Sequence, residues 1–154
     1  MLKKGYLAIT LILLFTACTQ LDVFEKTTFF PKHEWSSAVK PSFNFTIKDT
    51  AARYNVFVVI RHNDAYHFNN LWVNLTTIPP GDTAQTLRLK LILGDNTKWL
   101  GSSMDDIIEH RIRVNANPVK FKAGDHQFFL QQIMREDPLQ NILNAGIRIE
   151  KIEE

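Results

Sequence analysis

The chain predicts an all-β protein, an antiparallel β-sandwich of eight or nine strands, with jelly-roll connections among the topologies that fit. Three observations predict it. Apolar and polar residues alternate with period two in one stretch after another, which sends neighbouring side chains to opposite faces of a strand. Turn-forming residues punctuate these stretches at intervals of about ten to fifteen residues, too tight for crossover helices. Only two short stretches suit a helix instead.

Taken in order, residues 23–30 form the first expected strand. Phe43, Phe45 and Ile47 then alternate with Asn44, Thr46 and Lys48. Residues 54–60 are apolar on both sides and suit a central strand. Leu71-Trp72-Val73-Asn74-Leu75 follows, and Leu87, Leu89, Leu91 and Leu93 alternate with Arg88 and Lys90. Ile112 and Val114 alternate with Arg111 and Arg113, and Val119 and Phe121 with Lys120 and Lys122. Residues 128–134 give a second two-sided strand, and Ile147-Arg148-Ile149-Glu150 completes the set. One dry and one wet face per strand is the mark of an antiparallel sheet. Asn63-Asp64, Pro79-Pro80-Gly81-Asp82, Gly94-Asp95-Asn96, Asn115-Ala116-Asn117-Pro118 and Ala123-Gly124-Asp125 supply the turns. The helix candidates are residues 104–109 and 138–143. For the second, Asp137 before Pro138 fits an N-cap and first helical position, and Gly146 fits an exit.

The start of the chain has a different character. Met1-Leu2-Lys3-Lys4 opens an apolar run that ends at Thr16-Ala17-Cys18. A basic start, a short hydrophobic middle and small residues at the end make a secretory signal peptide. The run is about ten residues, whereas a membrane-spanning helix needs roughly 20. Cys18 is the only cysteine and stands directly after the expected cleavage point, the place of the lipid acceptor in bacterial lipoproteins. Residues 1–17 are therefore expected as leader, 18–22 as lipidated cysteine and tether, and 23–154 as one sandwich domain. Acyl chains contribute about 0.8 kcal/mol per buried methylene, so a multiply acylated Cys18 would stay in the membrane. Four or five extended residues at roughly 3.3 Å each hold the domain within about 20 Å of the bilayer. Thr19 follows the cysteine and Asp22 is the only acid close to it, which favours a periplasm-facing location.

Removing the leader neutralises the chain. Lys3 and Lys4 leave with it, so 16 of the 18 Lys and Arg residues remain against 16 Asp and Glu. Without a basic excess there is no long-range pull toward nucleic acid, and none is expected as a partner. With no second cysteine to pair with, stability must come from the core, and about 130 residues suffice for one.

A search for chemistry yields little. His62 and His67 flank a turn, but their spacing matches no established metal set, and His33, His110 and His126 read as surface or turn residues. Asp105-Asp106 and Glu109-His110 read as a solvated helix start and its dipole complement. No nucleophile elbow, phosphate loop or zinc-protease motif occurs, so no catalytic residue, enzyme activity, metal or cofactor is expected, nor a small-molecule substrate. Trp35, Trp72 and Trp99 are the candidate contact residues, since an exposed indole can stack on a sugar or anchor a protein. The alternative is that they fill the core. Alternation separates Trp72 from Leu71, Val73 and Leu75, so its side is either a second dry face or a contact surface. Thr50 and Thr83 stand in two Asp-Thr-Ala tripeptides that resemble bacterial O-glycan acceptors. Asn44-Phe45-Thr46 and Asn74-Leu75-Thr76 fall in strands and are set aside as N-glycan sites.

Several strings look familial: Arg61-His62 with Tyr66-His67-Phe68-Asn69-Asn70-Leu71-Trp72, then Trp99-Leu100-Gly101, then Gln132-Ile133-Met134-Arg135 leading to Leu139, Ile142 and Gly146-Ile147-Arg148. On these the mature chain resembles the gliding-motility lipoprotein GldH family along nearly its whole length. The resemblance implies a lipid-anchored cell-envelope protein, a supporting part in the motility machinery and associated secretion, other envelope proteins as partners, and no enzymatic activity. An assembly or scaffold lipoprotein is the first expectation. A carbohydrate-binding sandwich using an aromatic face is the second. Replacing Cys18 by Ala should shift the protein from the membrane to the soluble fraction; retention in membranes after that change would contradict the anchor.

Overall fold

The computed structural model describes residues 23–152, so the expected leader, Cys18 and the tether lie outside the described residues. Eleven strands follow in order: β1 (Val23–Phe29), β2 (Glu34–Trp35), β3 (Ser42–Ile47), β4 (Arg53–Asn63), β5 (Asn70–Ile78), β6 (Gln85–Ile92), β7 (Ser102–Met104), β8 (Ile107–Arg113), β9 (Gly124–Gln132), β10 (Leu139–Gln140) and β11 (Ile142–Ile152). One sheet has the order β1-β11-β4-β8-β7, a second β3-β9-β5-β6, and β10 pairs with β2. Every pairing is antiparallel. β3 shows the alternation most cleanly, with Phe43, Phe45 and Ile47 buried between exposed neighbours.

The inner faces of the two large sheets share one core. Val56, Val58 and Ile60 of β4 and Ala145, Ile147 and Ile149 of β11 meet Phe43, Leu71, Val73, Leu91 and Leu130 from the opposite sheet. Phe24 on β1 reaches Phe45 on β3, with ring centroids 5.4 Å apart. The chain enters at Val23, opposite Glu150. At that same end, anchor-proximal if the expected tether joins at Val23, lie Arg53 opposite Ile152 and Ile47 opposite Gly124.

The outer face of the five-stranded sheet is closed by charge pairing. Arg111 and Arg148 both donate to Glu25 at 3.0 Å, while Arg61 and Arg111 meet Glu109. These partners, Arg111 first and then Arg148, hold the Glu25 carboxyl below the usual carboxylate range. Val59, which stands opposite Arg111 on this face, is buried although it points away from the core.

Neither expected helix forms among the described residues. Residues 104–109 make the β7–β8 turn: Asp105 takes a left-handed φ of 53°, and Ile107 and Ile108 continue as strand. Aspartate tolerates that region well, and β-branched residues favour strands over helices. Residues 138–143 form β10 and the start of β11, with Asn141 at a φ of 67° between them. Asp137 caps no helix. Its carboxylate instead accepts hydrogen bonds from Ser37 and Gln132. The expected strand at Val119 and Phe121 is also corrected: only an isolated bridge between Val119 and Tyr54 forms there. Leu87 departs from its expected dry position and is 55% exposed, because it lies toward the anchor end of edge strand β6.

Trp35 belongs to the core. Its ring stacks on Phe30 at 5.3 Å and its indole N–H donates to the Val39 carbonyl at 2.9 Å, leaving 0% exposure. Trp35→Ala should cost about 3–5 kcal/mol through loss of a buried aromatic, and Trp72→Ala, at a half-buried position, about 1–2 kcal/mol. Urea titration followed by fluorescence compares the two; equal losses would put both indoles in one core.

Candidate functional site

Three features outside the packed core could carry function. The first lies at the anchor-proximal end, where β6 ends one sheet without a partner on its outer side among the described residues. A cleft of about 330 Å³ opens beside it, lined mainly by apolar residues including Val56, Leu75, Leu87, Val114, Phe121 and Phe128. The segment after β8 leaves the ladder here and stays joined to β4 through Val114 N–H to the Val56 carbonyl, the Asn115 side chain and the Val119 bridge. Leu87 borders this cleft, and Ile92, 47% exposed, marks the far end of the same strand.

The second feature is on the outer face of the four-stranded sheet. Register places Lys90 opposite Trp72, and Arg88 opposite Asn74. Both cations lie over the Trp72 ring, Arg88 at 4.8 Å from its centroid and Lys90 at 5.9 Å. The segment after β9 stays beside them: Ile133 N–H donates to the Trp72 carbonyl at 3.0 Å, and Trp72 N–H meets Met134 Sδ at 3.3 Å. Arg135 is thereby brought to a cleft of about 360 Å³ shared with Phe68, Asn70, Trp72 and Arg88, and no carboxylate lines it. Trp72 is thus a pedestal under two cations, not a bare platform. The middle of this face is uncharged, with Asp125 at its far end accepting a hydrogen bond from Thr46. Gln131 stands opposite Asn74, Thr86 opposite Thr76 and Asn44 opposite Gln127, with the Phe129 ring opposite Thr76 on the other side.

The third is a buried histidine pair. His62 and His110, 0% and 3% exposed, face each other on β4 and β8 with Nε2 atoms 2.9 Å apart and rings stacked at 14°. His62 Nδ1 lies 2.7 Å from the Asn63 carbonyl, which can only accept, so that nitrogen carries the proton. His62 Nε2 is then a bare acceptor and His110 Nε2–H donates to it. Trp99 packs edge-on against His62 at 4.4 Å. Gly101 is required beside His110, since a Cβ there would sit 2.3 Å from the Glu109 carbonyl and 2.8 Å from His110 Nδ1. Burial pushes both imidazoles down, and the neighbouring His62 adds to the effect on His110, which reaches about 4. The pair is a neutral, hydrogen-bonded piece of core with no nucleophile beside it.

A family model described as GldH lipoprotein matches residues 22–149. The chain belongs to the GldH lipoprotein family. It is 31% identical to the gliding motility lipoprotein GldH of Flavobacterium johnsoniae, over 97% of this chain and 96% of that one. It is 29% identical to a gliding motility lipoprotein GldH homolog of Christiangramia forsetii, over 95% and 94% of the two chains. Among solved structures, dimeric latent PorU from Porphyromonas gingivalis aligns with a TM-score of 0.41 and 11% identity. That match covers 84% of this chain and 13% of PorU.

The strings that suggest GldH kinship meet in space. His62, Tyr66, Trp99 and Gly101 converge on the histidine pair, while Arg61 turns to the outer face and meets Glu109; Phe68, Asn70, Trp72, Met134 and Arg135 converge on the cationic cleft. Of the candidate contact residues, Trp35 is removed from the surface by burial, Trp99 is half-buried against His62, and Trp72 is half-buried beneath Arg88 and Lys90. Thr50 and Thr83 are both exposed in loops, with Thr83 N–H bonded to the Asp82 carboxylate. His67 does not approach His62; it lies 3.9 Å from Glu136. Among the described residues no group of three or more His, Cys, Asp or Glu is placed to hold a metal ion. The His62–His110 contact escaped sequence reading because 48 positions separate the two.

The depressed imidazoles set a pH dependence. Unfolded histidines take up protons below about 6.5 while the folded pair stays neutral, so the unfolded state binds more protons and stability falls as pH drops from about 6.5 toward 4. Below that, His110 protonates in both states and its contribution levels off. NMR titration of the His110 ring should give a midpoint near 4; a midpoint near 6.5 would mean that the pair is solvated.

Proposed function

We propose that this lipoprotein supports bacterial gliding motility, and secretion associated with it, as a non-enzymatic assembly or scaffold component, held at the periplasm-facing surface of the cell envelope by lipid on Cys18. Its contacts are with other envelope proteins, and the route is strand addition. An extended segment pairs with the open edge of β6, and one of its side chains enters the neighbouring cleft. Main-chain hydrogen bonds provide affinity in this mode and the side-chain pocket provides selection. The relatives' names support the motility role. The observation that carries the contact mode is the exposed Leu87 on an unpaired edge beside the largely apolar cleft of about 330 Å³. Exposed edges are ordinarily blunted because they template pairing, and β6 is left open along eight residues.

A second reading, glycan recognition, is favoured by the outer face of the four-stranded sheet. Its rows of Asn, Gln and Thr around Phe129 and Trp72 offer hydrogen-bonding groups at the strand spacing of about 4.8 Å.

For the first reading, a photo-crosslinking residue at position 87 should capture an envelope protein in intact cells, whereas one at Lys26 on the opposite sheet should not. Leu87→Glu should abolish colony spreading while the protein remains membrane-bound at its normal level. Normal spreading of that variant, or equal capture from both positions, would refute strand addition at β6.

A further inference from the structure

Two sheet faces look outward from this domain, and they treat their cations differently. On the five-stranded sheet Arg61, Arg111 and Arg148 are each met by Glu25 or Glu109, while Arg53 and Arg113, set apart along the strands, have no carboxylate partner among the described residues. On the four-stranded sheet Arg88, Lys90 and Arg135 have no carboxylate partner among the described residues, although the chain as a whole is nearly balanced in charge. Folding thus concentrates uncompensated positive charge beside one cleft. Two of these cations are also held in place. The Trp72 ring fixes Arg88 and Lys90 above it, a cation–π arrangement that limits their freedom before any ligand arrives. Preorganised cations lose less entropy when they engage an anion.

We infer that the cleft lined by Trp72, Arg88 and Arg135, with Lys90 over the same indole, binds a carboxylate-bearing polysaccharide, of the uronic-acid class. This inference rests on the glycan reading above and names its ligand. The cations take the carboxylates. An arginine fork donates two parallel hydrogen bonds to a carboxylate, and the lysine contributes as a point charge. The neutral row beyond them, Asn74 and Gln131 and then Thr76 and Thr86, hydrogen-bonds the hydroxyls of the chain as it runs along the sheet. An acidic peptide would satisfy the cations as well, but it would leave this amide and hydroxyl row without the dense hydroxyl partners that a sugar chain offers.

The test uses the full chain in detergent micelles with three probes at low and high salt: polygalacturonate, dextran and polyglutamate. Polygalacturonate should bind and weaken as salt rises, and dextran should not bind. The double variant Arg88→Gln/Lys90→Gln should bind polygalacturonate about tenfold more weakly, the size expected for losing one charge-assisted hydrogen bond. Lys26→Gln, on the other sheet, should change nothing, and thermal melts of all variants should coincide. Equal binding of dextran would overturn the acidic-ligand inference while leaving the glycan reading standing. Failure of both glycans to bind would end both. Polyglutamate binding as tightly as polygalacturonate, lost in the same double variant, would overturn the inference in favour of an acidic protein segment.

Discussion

The fold depends on the placement of β11 between β1 and β4. The last strand of the described chain pairs with the first along seven residues and with β4 along nearly its full length, so the five-stranded sheet is incomplete until the C-terminal strand has docked. Pairings between strands far apart in sequence must overcome loop-closure entropy before they are rewarded, which makes such a topology slow to assemble and cooperative once formed. Gly146, at the centre of β11, permits it. A Cβ there would lie 2.4 Å from the Lys26 carbonyl, so β1 can approach this closely only because glycine stands opposite Thr27.

That pairing also ties the N-terminal strand to the core. The strand nearest the expected tether is stitched to β11 residue by residue, starting at Val23 opposite Glu150. Whatever pulls on the N-terminal side acts on β1 along its own axis, against several ladder hydrogen bonds loaded together and a Glu25 carboxylate held by two arginines.

The surfaces divide by chemistry. One outer face is locked by its own ion pairs, the anchor-proximal side offers an apolar cleft beside an open edge, and the other outer face offers unpaired cations and neutral hydrogen-bonding groups. The buried histidine pair belongs to none of these. It places between β4 and β8 a hydrogen bond that needs an unprotonated Nε2 on His62, and burial, which disfavours the charged form of both imidazoles, keeps that acceptor bare.

Neither expected helix formed among the described residues, nor the strand at Val119 and Phe121, and Leu87 is exposed instead of buried. What the amino-acid sequence determined by itself is the rest of the local pattern: most of the strands, the dry face of strands such as β3, and most of the turns. These follow from period-two alternation and turn chemistry, which act over a few residues. Contacts between distant residues were decided only by the tertiary structure. Asp137-Pro138 carries the local marks of a helix start, yet the pairing of Leu139 with Trp35 overrides them. Trp35 and Trp72 have the same local chemistry; one is enclosed because β2 and β10 carry it into the core, the other lies on an outer face beneath two cations. The same holds for charge. Composition records near neutrality, but whether a given arginine meets a glutamate depends on which strands become neighbours, and that is a property of the assembled sheets.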